Sequence, residues 1–238
     1  MLTVGLIGAG RIGRVHASTI VQDEGSQLVA VADSVDENAK NLAKIYKAEL
    51  LSITSFDPAP PPIDYVKVSG GIFKDMMIHD FDMANFLYGE LPKSIFVSAS
   101  ALVDKKIGAL GDYDTAVATL KYTDGRLAVI KNSRRATYGY DQRIEVLGSK
   151  GLLQVQNMVE NCIVKSTEMG VESSKPEYFF LERYKSAYQN EWAAFVTAVK
   201  TKTPMPVSLS DGIAALAIAE AAAASAEMGS EVEIANFL

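Results

Sequence analysis

Asp75 and His79 stand four residues apart in the stretch 69–86, SGGIFKDMMIHDFDMANF. On a helix that spacing puts a carboxylate and an imidazole on one face, one turn apart. Asp82 extends the stripe by three residues, while Ile78 and Phe81 fall to the side, where they can anchor the helix. A carboxylate beside an imidazole selects its tautomer and stabilises its protonated form, which is the wiring of a general acid/base. Solvated and capping pairs share the same spacing. Two features favour chemistry. Gly70-Gly71 precedes the pair and lets backbone approach a ligand closely. The chain also holds only two histidines, and the other, His16, follows a nucleotide-binding signal and reads as structural.

That signal opens the chain. An apolar, strand-like run over residues 2–7 ends in Gly8-Ala9-Gly10-Arg11-Ile12-Gly13, and a helix-like run over 14–21 follows. The three glycines of G-x-G-x-x-G supply a tight turn, room for a pyrophosphate and close helix–strand contact. The helix N-terminus then offers free N–H groups to the phosphates. A second strand over 27–32 ends at Asp33, 20 residues after Gly13, where an acidic side chain grips the adenosine ribose. Ser34 comes next, and with Glu37 it also makes a capping-box pattern. The next basic residue is Lys40. A 2′-phosphate would meet an unopposed carboxylate, so the reading is NAD rather than NADP.

These groups need elements to hold them. With 238 residues, 48% hydrophobic and 22% charged, the chain can bury a sizeable core in one or two domains. A net charge of −6 argues against nucleic acid or an anionic membrane as the main partner. Cys162 is alone, so no internal disulfide is possible, and a reducing, cytoplasmic setting is expected. The N-terminus does not read as a signal peptide. The longest apolar tract, 212–226, is broken by Glu220 and reads as too short to span a bilayer. No metal-ligand spacing, phosphate loop or nucleophile elbow is present.

Only two strands and two helices precede the strand-like run 51–56, whereas a dinucleotide fold needs two βαβαβ halves. A stretch is therefore expected to be missing near 49–51. Residues 1–50 read as a partial Rossmann NAD-binding domain, and 51–238 as a substrate-binding and oligomerisation domain of the α+β kind. Residues 56–62, FDPAPPP, form a proline-rich loop whose Asp57 can reach the Asp75/His79 cleft or simply open the turn. Strands are expected over 93–103, 116–122, 126–134, 142–147, 152–156 and 162–167, joined by tight turns at 123–125 and 148–151, as an antiparallel meander. Several are apolar on both faces, so the face away from the helices needs a second cover, such as a neighbouring subunit. The loop 137–141 presents Tyr138 and Tyr140, whose ringed hydroxyls suit a polyhydroxylated ligand. Helices follow over 188–200, with Trp192 beside Phe195 and Val196 as core, and over 210–228, capped by Ser208 or Ser210 and stopped by Gly229.

With GAGRIG, Asp33, FDPAPPP, SGGIFKDMMIHDFDM and RRATYGYDQRIEVLGSKG on the page, the chain resembles the Gfo/Idh/MocA oxidoreductase family, and within it the inositol 2-dehydrogenases. The resemblance covers essentially the whole chain. It implies an α/β protein: an N-terminal Rossmann domain, incomplete here, with a C-terminal α+β domain whose open-faced, mostly antiparallel sheet joins subunits into tetramers or dimers. It makes His79 the acid/base and Asp75 its partner. Asp57 and Tyr138 would contact the cyclitol hydroxyls, and Gly8, Gly10, Arg11, Ile12, Gly13 and Asp33, with Ser34 beside it, would hold NAD. The implied activity is NAD-dependent oxidation of a cyclitol hydroxyl to a ketone, myo-inositol to 2-keto-myo-inositol. The alternatives are another sugar or scyllo-inositol, an NAD-dependent glycosidase on the same scaffold, or a non-catalytic NAD-binding protein. The partner would be a small cyclitol or sugar, with neither nucleic acid nor membrane. The family's Glu-Lys-Pro motif, whose lysine is catalytic, does not occur in this chain, and Asn85 replaces an arginine usual in close relatives.

Overall fold

The computed structural model describes residues 48–238 in full and, within 1–47, the backbone of two strands, β1 (Leu2–Ile7) and β2 (Ser26–Ala32). These two pair in parallel, with Ile7 opposite Ala32. In sequence, Gly8 and Asp33 are therefore the next residues after one cross-strand pair. Gly8, Gly10, Arg11, Ile12, Gly13, His16, Asp33 and Ser34 themselves lie outside the described residues.

The main sheet has seven strands: β3 (Ala48–Phe56), β4 (Ser94–Ser100), β5 (Thr115–Lys121), β6 (Leu127–Ser133), β7 (Asp141–Gly148), β8 (Gly151–Val155) and β11 (Val232–Glu233). Their order is β11-β4-β5-β6-β3-β7-β8. The expected tight turns close the β5–β6 and β7–β8 hairpins. The expected simple meander is corrected in two places. β3 inserts between β6 and β7, parallel to the first and antiparallel to the second. Its Leu51 and Ile53 are fully buried, so a central position suits it better than an edge. The strand expected at 162–167 instead forms β9 (Val164–Thr167), which pairs with β10 (Gly170–Ser173) in a separate two-stranded sheet. β3 runs through 49–51 without a break, although its register against β7 shifts between Ala48 and Leu50. The position 50/51, expected as a domain boundary, falls inside this strand.

One face of the sheet is covered by helices α2 (Ile78–Tyr88) and α6 (Leu209–Met228). Ile53, Val97, Ala116, Ala118, Leu120 and Ile130 bury against Phe81, Ala84, Ile218, Ala219 and Ala222. The small alanine side chains let α6 lie close on the strands. Ser208 caps α6 in a capping box with Asp211, and Gly229 ends it in the left-handed region. On length and composition α6 could cross a membrane, against the expectation from the tract 212–226. Its buried Ile218, Ala219, Ala221 and Ala222 make it a core helix.

The remaining helices are α1 (Ile63–Ser69), α3 (Lys105–Ala109), α4 (Phe180–Arg183) and α5 (Lys185–Thr201). Trp192 on α5 is 66% exposed and stacks on Phe195, also exposed, at 5.6 Å. The expectation that they are core is corrected. Residues 188, 192, 195 and 199 make a helical apolar stripe, but periodicity marks a face without naming its cover.

Candidate active site

The stretch 69–86 is not one regular helix. α1 ends at Ser69, Gly70 and Gly71 take φ of 87° and 84°, and residues Phe73–Met77 form a single π-helical turn that runs into α2. Gly71 has two reasons to be glycine. Its φ is left-handed, and a Cβ there would meet the Asp112 carboxylate at 2.9 Å. That carboxylate accepts from the Ile72 backbone N–H at 3.0 Å, which fixes the entry to the π-turn. π-turns of this kind gather at functional sites.

His79 stands in the first turn of α2 with its side chain exposed. Its neighbour Asp80 points the other way and is 3% exposed. The Asp80 carboxylate accepts from Ser55 Oγ at 2.7 Å and Asn132 Nδ2 at 2.6 Å, and Gln142 adds a third hydrogen bond. Ser55 pairs with Asn132 across β3–β6 and with Gln142 across β3–β7. Three adjacent strands thus present one polar row to one carboxylate, which pins the start of α2 to the sheet. Burial pushes the Asp80 carboxyl up to about 6, against the pull of these hydrogen bonds and of the neighbouring His79.

Asp57 and Arg134 follow the C-terminal ends of the parallel strands β3 and β6. The Asp57 N–H donates to Ser133 O at 2.9 Å, and the Ala136 N–H donates to Asp57 O at 2.6 Å. Asp57 therefore enters the same cluster as Asp75 and Asp80. Burial raises its carboxyl to about 6; Arg134 pulls it down, and Asp75 and Asp80 push it further up.

Asp75 is held differently from the expected pairing. Its Oδ1 accepts from the Tyr65 hydroxyl at 2.6 Å, and its Oδ2 accepts from Arg134 Nη1 at 2.9 Å. The π-turn widens the winding between residues 75 and 79, so the α-helical face argument does not carry over unchanged. Tyr138 lies apart from this cluster: it is half-exposed, and its hydroxyl donates to Asp141, which also binds Arg143 and Asn157. Tyr140, two residues on, couples to both Asp57 and Asp80 and hydrogen-bonds Tyr184 with the rings edge-on at 5.8 Å.

The cluster therefore joins Asp57, Asp75, Asp80, Arg134, Tyr65 and Tyr140, and the exposed His79 is the chain neighbour of its Asp80. Arg134, Tyr65, Asp80 and Tyr184 received no role in the sequence reading. The available signal was a polar residue at the end of a strand that otherwise reads as core: Ser55, Asn132 and Arg134 each interrupt an apolar pattern. Chemically, the imidazole can accept or donate a proton in the cleft, and the carboxylates and tyrosines can bind several hydroxyls of one ligand. No group of three or more metal-ligating side chains occurs among the described residues.

A family model described as an oxidoreductase family C-terminal alpha/beta domain matches residues 38–234, and the companion NAD-binding Rossmann fold matches residues 2–73. The chain belongs to the Gfo/Idh/MocA oxidoreductase family. Its fold is the family's pairing of a Rossmann domain with an α/β domain built on a mostly antiparallel sheet. The family member Myo-inositol 2-dehydrogenase of Thermotoga maritima is 49% identical over 205 residues, 84% of this chain and 61% of that protein. Inositol 2-dehydrogenase of Rhizobium meliloti is 46% identical over 207 residues, 87% of this chain and 61% of that protein. The crystal structure of a myo-inositol dehydrogenase from Corynebacterium glutamicum superposes with a TM-score of 0.75 at 29% identity, over 98% of each chain. The chain spans about 61% of the length of the two curated relatives.

Proposed function

We propose that the protein oxidises a cyclitol hydroxyl to a ketone with NAD, and that myo-inositol is the first substrate to try. The observation that carries this reading is the exposed His79 imidazole next in the chain to buried Asp80, which shares a polar cluster with Asp57, Asp75 and Tyr140. A proton acceptor then stands where several hydroxyls of one ring can be bound at once. The 49% identity to a protein named Myo-inositol 2-dehydrogenase supports the choice of ligand.

The dinucleotide fits what is described of the N-terminal part. In open α/β sheets such ligands bind beyond the carboxyl ends of parallel strands, and the G-x-G-x-x-G turn and Asp33 both follow the paired ends Ile7 and Ala32. Gly8, Gly10, Arg11, Ile12, Gly13, Asp33 and Ser34 would hold it. Bound NAD supplies the hydride acceptor. The chain's own residues do the rest. Asp57 and the tyrosines of the cluster hold the ring hydroxyls, while Tyr138, which lies apart from them, would contact the ligand only at its far end. His79 accepts the hydroxyl proton, with Asp75 as its partner in the same segment. Residues 1–50 form the cofactor part and 51–238 the substrate part, with β3 shared at the junction. The reading includes a reducing, cytoplasmic setting and a homo-oligomer, a dimer or tetramer, joined through the open face of the sheet.

The test is NADH absorbance with NAD or NADP against myo-inositol, scyllo-inositol, open-chain polyols and an aldose. NADH formation with a cyclitol and NAD supports the reading. NADH from an open sugar alone would move the substrate class, and cofactor binding with no turnover on the whole panel would overturn catalysis.

A further inference from the structure

Arg134 is the largest fully buried side chain in the described structure, at 1% exposure. A guanidinium is always charged and costs a great deal to bury without partners. Asp75 supplies one by a direct hydrogen bond, and two further carboxylates stand at longer range. Asp75 Oδ2 is 2.9 Å from Nη1, Asp112 Oδ2 is 3.9 Å from Nη2, and Asp57 lies within electrostatic reach. The Arg134 backbone is fixed too, its N–H donating to Asp114 O at 2.8 Å. Asp114 is itself buried and accepts from the N–H groups of Leu102, Val103 and Asp104.

Both carboxylates nearest the guanidinium grip the π-turn. Asp112 accepts from Ile72 at its entry, and Asp75 sits within it, braced on the far side by Tyr65. The turn runs directly into the first turn of α2, where His79 stands. A guanidinium that ties these carboxylates together sets the path of the turn, and with it the position of the imidazole. We propose that Arg134 is a positioning residue for the acid/base site: through Asp75 and Asp112 it fixes the π-turn that carries His79 to the cleft. The catalytic side of this inference rests on the proposed oxidoreductase reading; the coupling of Arg134 to Asp75 does not.

The experiment is a double-mutant cycle on the full chain with Arg134→Gln and Asp75→Asn, with Arg134→Lys alongside. Stability is read by denaturant unfolding, and kcat and KM by NADH formation. Residues that act as one unit are non-additive, so Arg134→Gln is expected to destabilise the Asp75→Asn protein far less than the wild type. In turnover, Arg134→Gln lowers kcat by about 10–100-fold through misplacement of the imidazole, while KM for the polyol changes by less than the loss in kcat. Arg134→Lys keeps the charge but loses the planar fork and falls between the two. An additive stability cycle overturns the proposal, and so does a folded Arg134→Lys or Arg134→Gln protein with wild-type kcat. A purely structural arginine paired with Asp75 would give the same non-additive stability cycle but leave kcat of the folded fraction alone. If Arg134→Gln does not fold, the Lys variant, alone and combined with Asp75→Asn, completes the same cycle. A wild type that makes no NADH from any polyol sinks the oxidoreductase reading and leaves the stability cycle to decide Arg134 by itself.

Discussion

At the scale of single residues, two side chains one position apart divide the work. His79 is exposed and Asp80 is buried against the sheet, so the group proposed to meet ligand is carried by the group that anchors the helix. His79→Ala is expected to lower turnover by about 10²–10⁴-fold, the usual worth of a positioned acid/base. NAD affinity, read by the fluorescence of bound NADH, should stay nearly unchanged, and a variant with full turnover would remove His79 from the mechanism. Asp57 makes a prediction about pH. Its carboxyl is raised from 3.8 to about 6 in the folded protein, so the folded state holds that proton more tightly than the unfolded chain does. The favourable contribution is full below about pH 4 and is lost as pH rises through about 6. Asp57→Asn removes that loss. Its Tm should match the wild type near pH 4 and exceed it near pH 7 by about 2–4 °C, equivalent to about 1 kcal/mol. If it contacts substrate, the same change weakens polyol binding, a trade of activity for stability. Asp114 and Asp141 have the opposite sign. Burial raises both, but backbone N–H groups at Asp114 and Arg143, Tyr138 and Asn157 at Asp141 hold them below the ordinary carboxylate range. Their contribution is lost as pH falls through the lowered values. A Tm of Asp57→Asn that tracks the wild type at every pH would show that Asp57 is not buried at this cost.

At the scale of elements, α6 packs on the sheet through its apolar face, and a buried hydroxyl also ties the two together. Ser225 Oγ accepts from the Val97 N–H at 3.0 Å and donates to Ser230 O at 2.6 Å, wholly buried. β11 pairs with β4 only at Ser94 and Ile95, so the helix takes over satisfaction of the strand where the edge strand stops. Ser225→Ala leaves a buried N–H and a carbonyl without that partner and should cost about 1–3 kcal/mol. Thermal unfolding with unchanged far-UV circular dichroism would check it, and an unchanged Tm would mean that water replaces the hydroxyl. Elements of this kind were largely legible in sequence. Alternation placed β4 to β8, and the Ser208 cap and Gly229 stop placed α6, because such signals are local. Three features were not legible, for physical reasons. The insertion of β3 beside β6 is a choice among long-range pairings that the alternation of β3 alone does not encode. The π-turn differs from an α-turn by one residue of hydrogen-bond spacing and has no side-chain signature. The stripe around Trp192 is amphipathic, and an amphipathic pattern is silent about what covers it. The candidate site divides the same way: Asp75, His79 and Asp57 stand in recognisable strings, whereas Arg134 matters only through neighbours brought from 59 and 22 residues away in sequence, Asp75 and Asp112.

At the scale of the whole molecule, the open face of the sheet carries its own pattern. Leu127 lies opposite Leu50, Leu50 opposite Leu147, and Leu147 opposite Leu152, one row across β6, β3, β7 and β8. These leucines are 37–45% exposed, and Phe96 and Val117 continue the apolar character on β4 and β5 at 42% and 43%. Charged and polar residues interrupt the face elsewhere, at Lys131, Arg143, Glu145 and Gln154. A contiguous apolar row within a polar surround is the composition of an interface rather than of a freely solvated surface. Sheet-to-sheet contact between two copies, as proposed above, would cover the row with the same row, as a two-fold interface requires. Light scattering of the purified chain should therefore give a mass at least twice 25.6 kDa. Leu147→Glu places like charges against each other at the centre of the row and should convert the assembly to single chains. The cluster proposed as the active site lies on the helix-covered side, at the ends of β3 and β6, so the substitution reaches it only through loss of assembly. A wild type that runs as a single chain at micromolar concentration would leave this row to some other cover. A Leu147→Glu assembly of unchanged mass would move the interface off this face altogether.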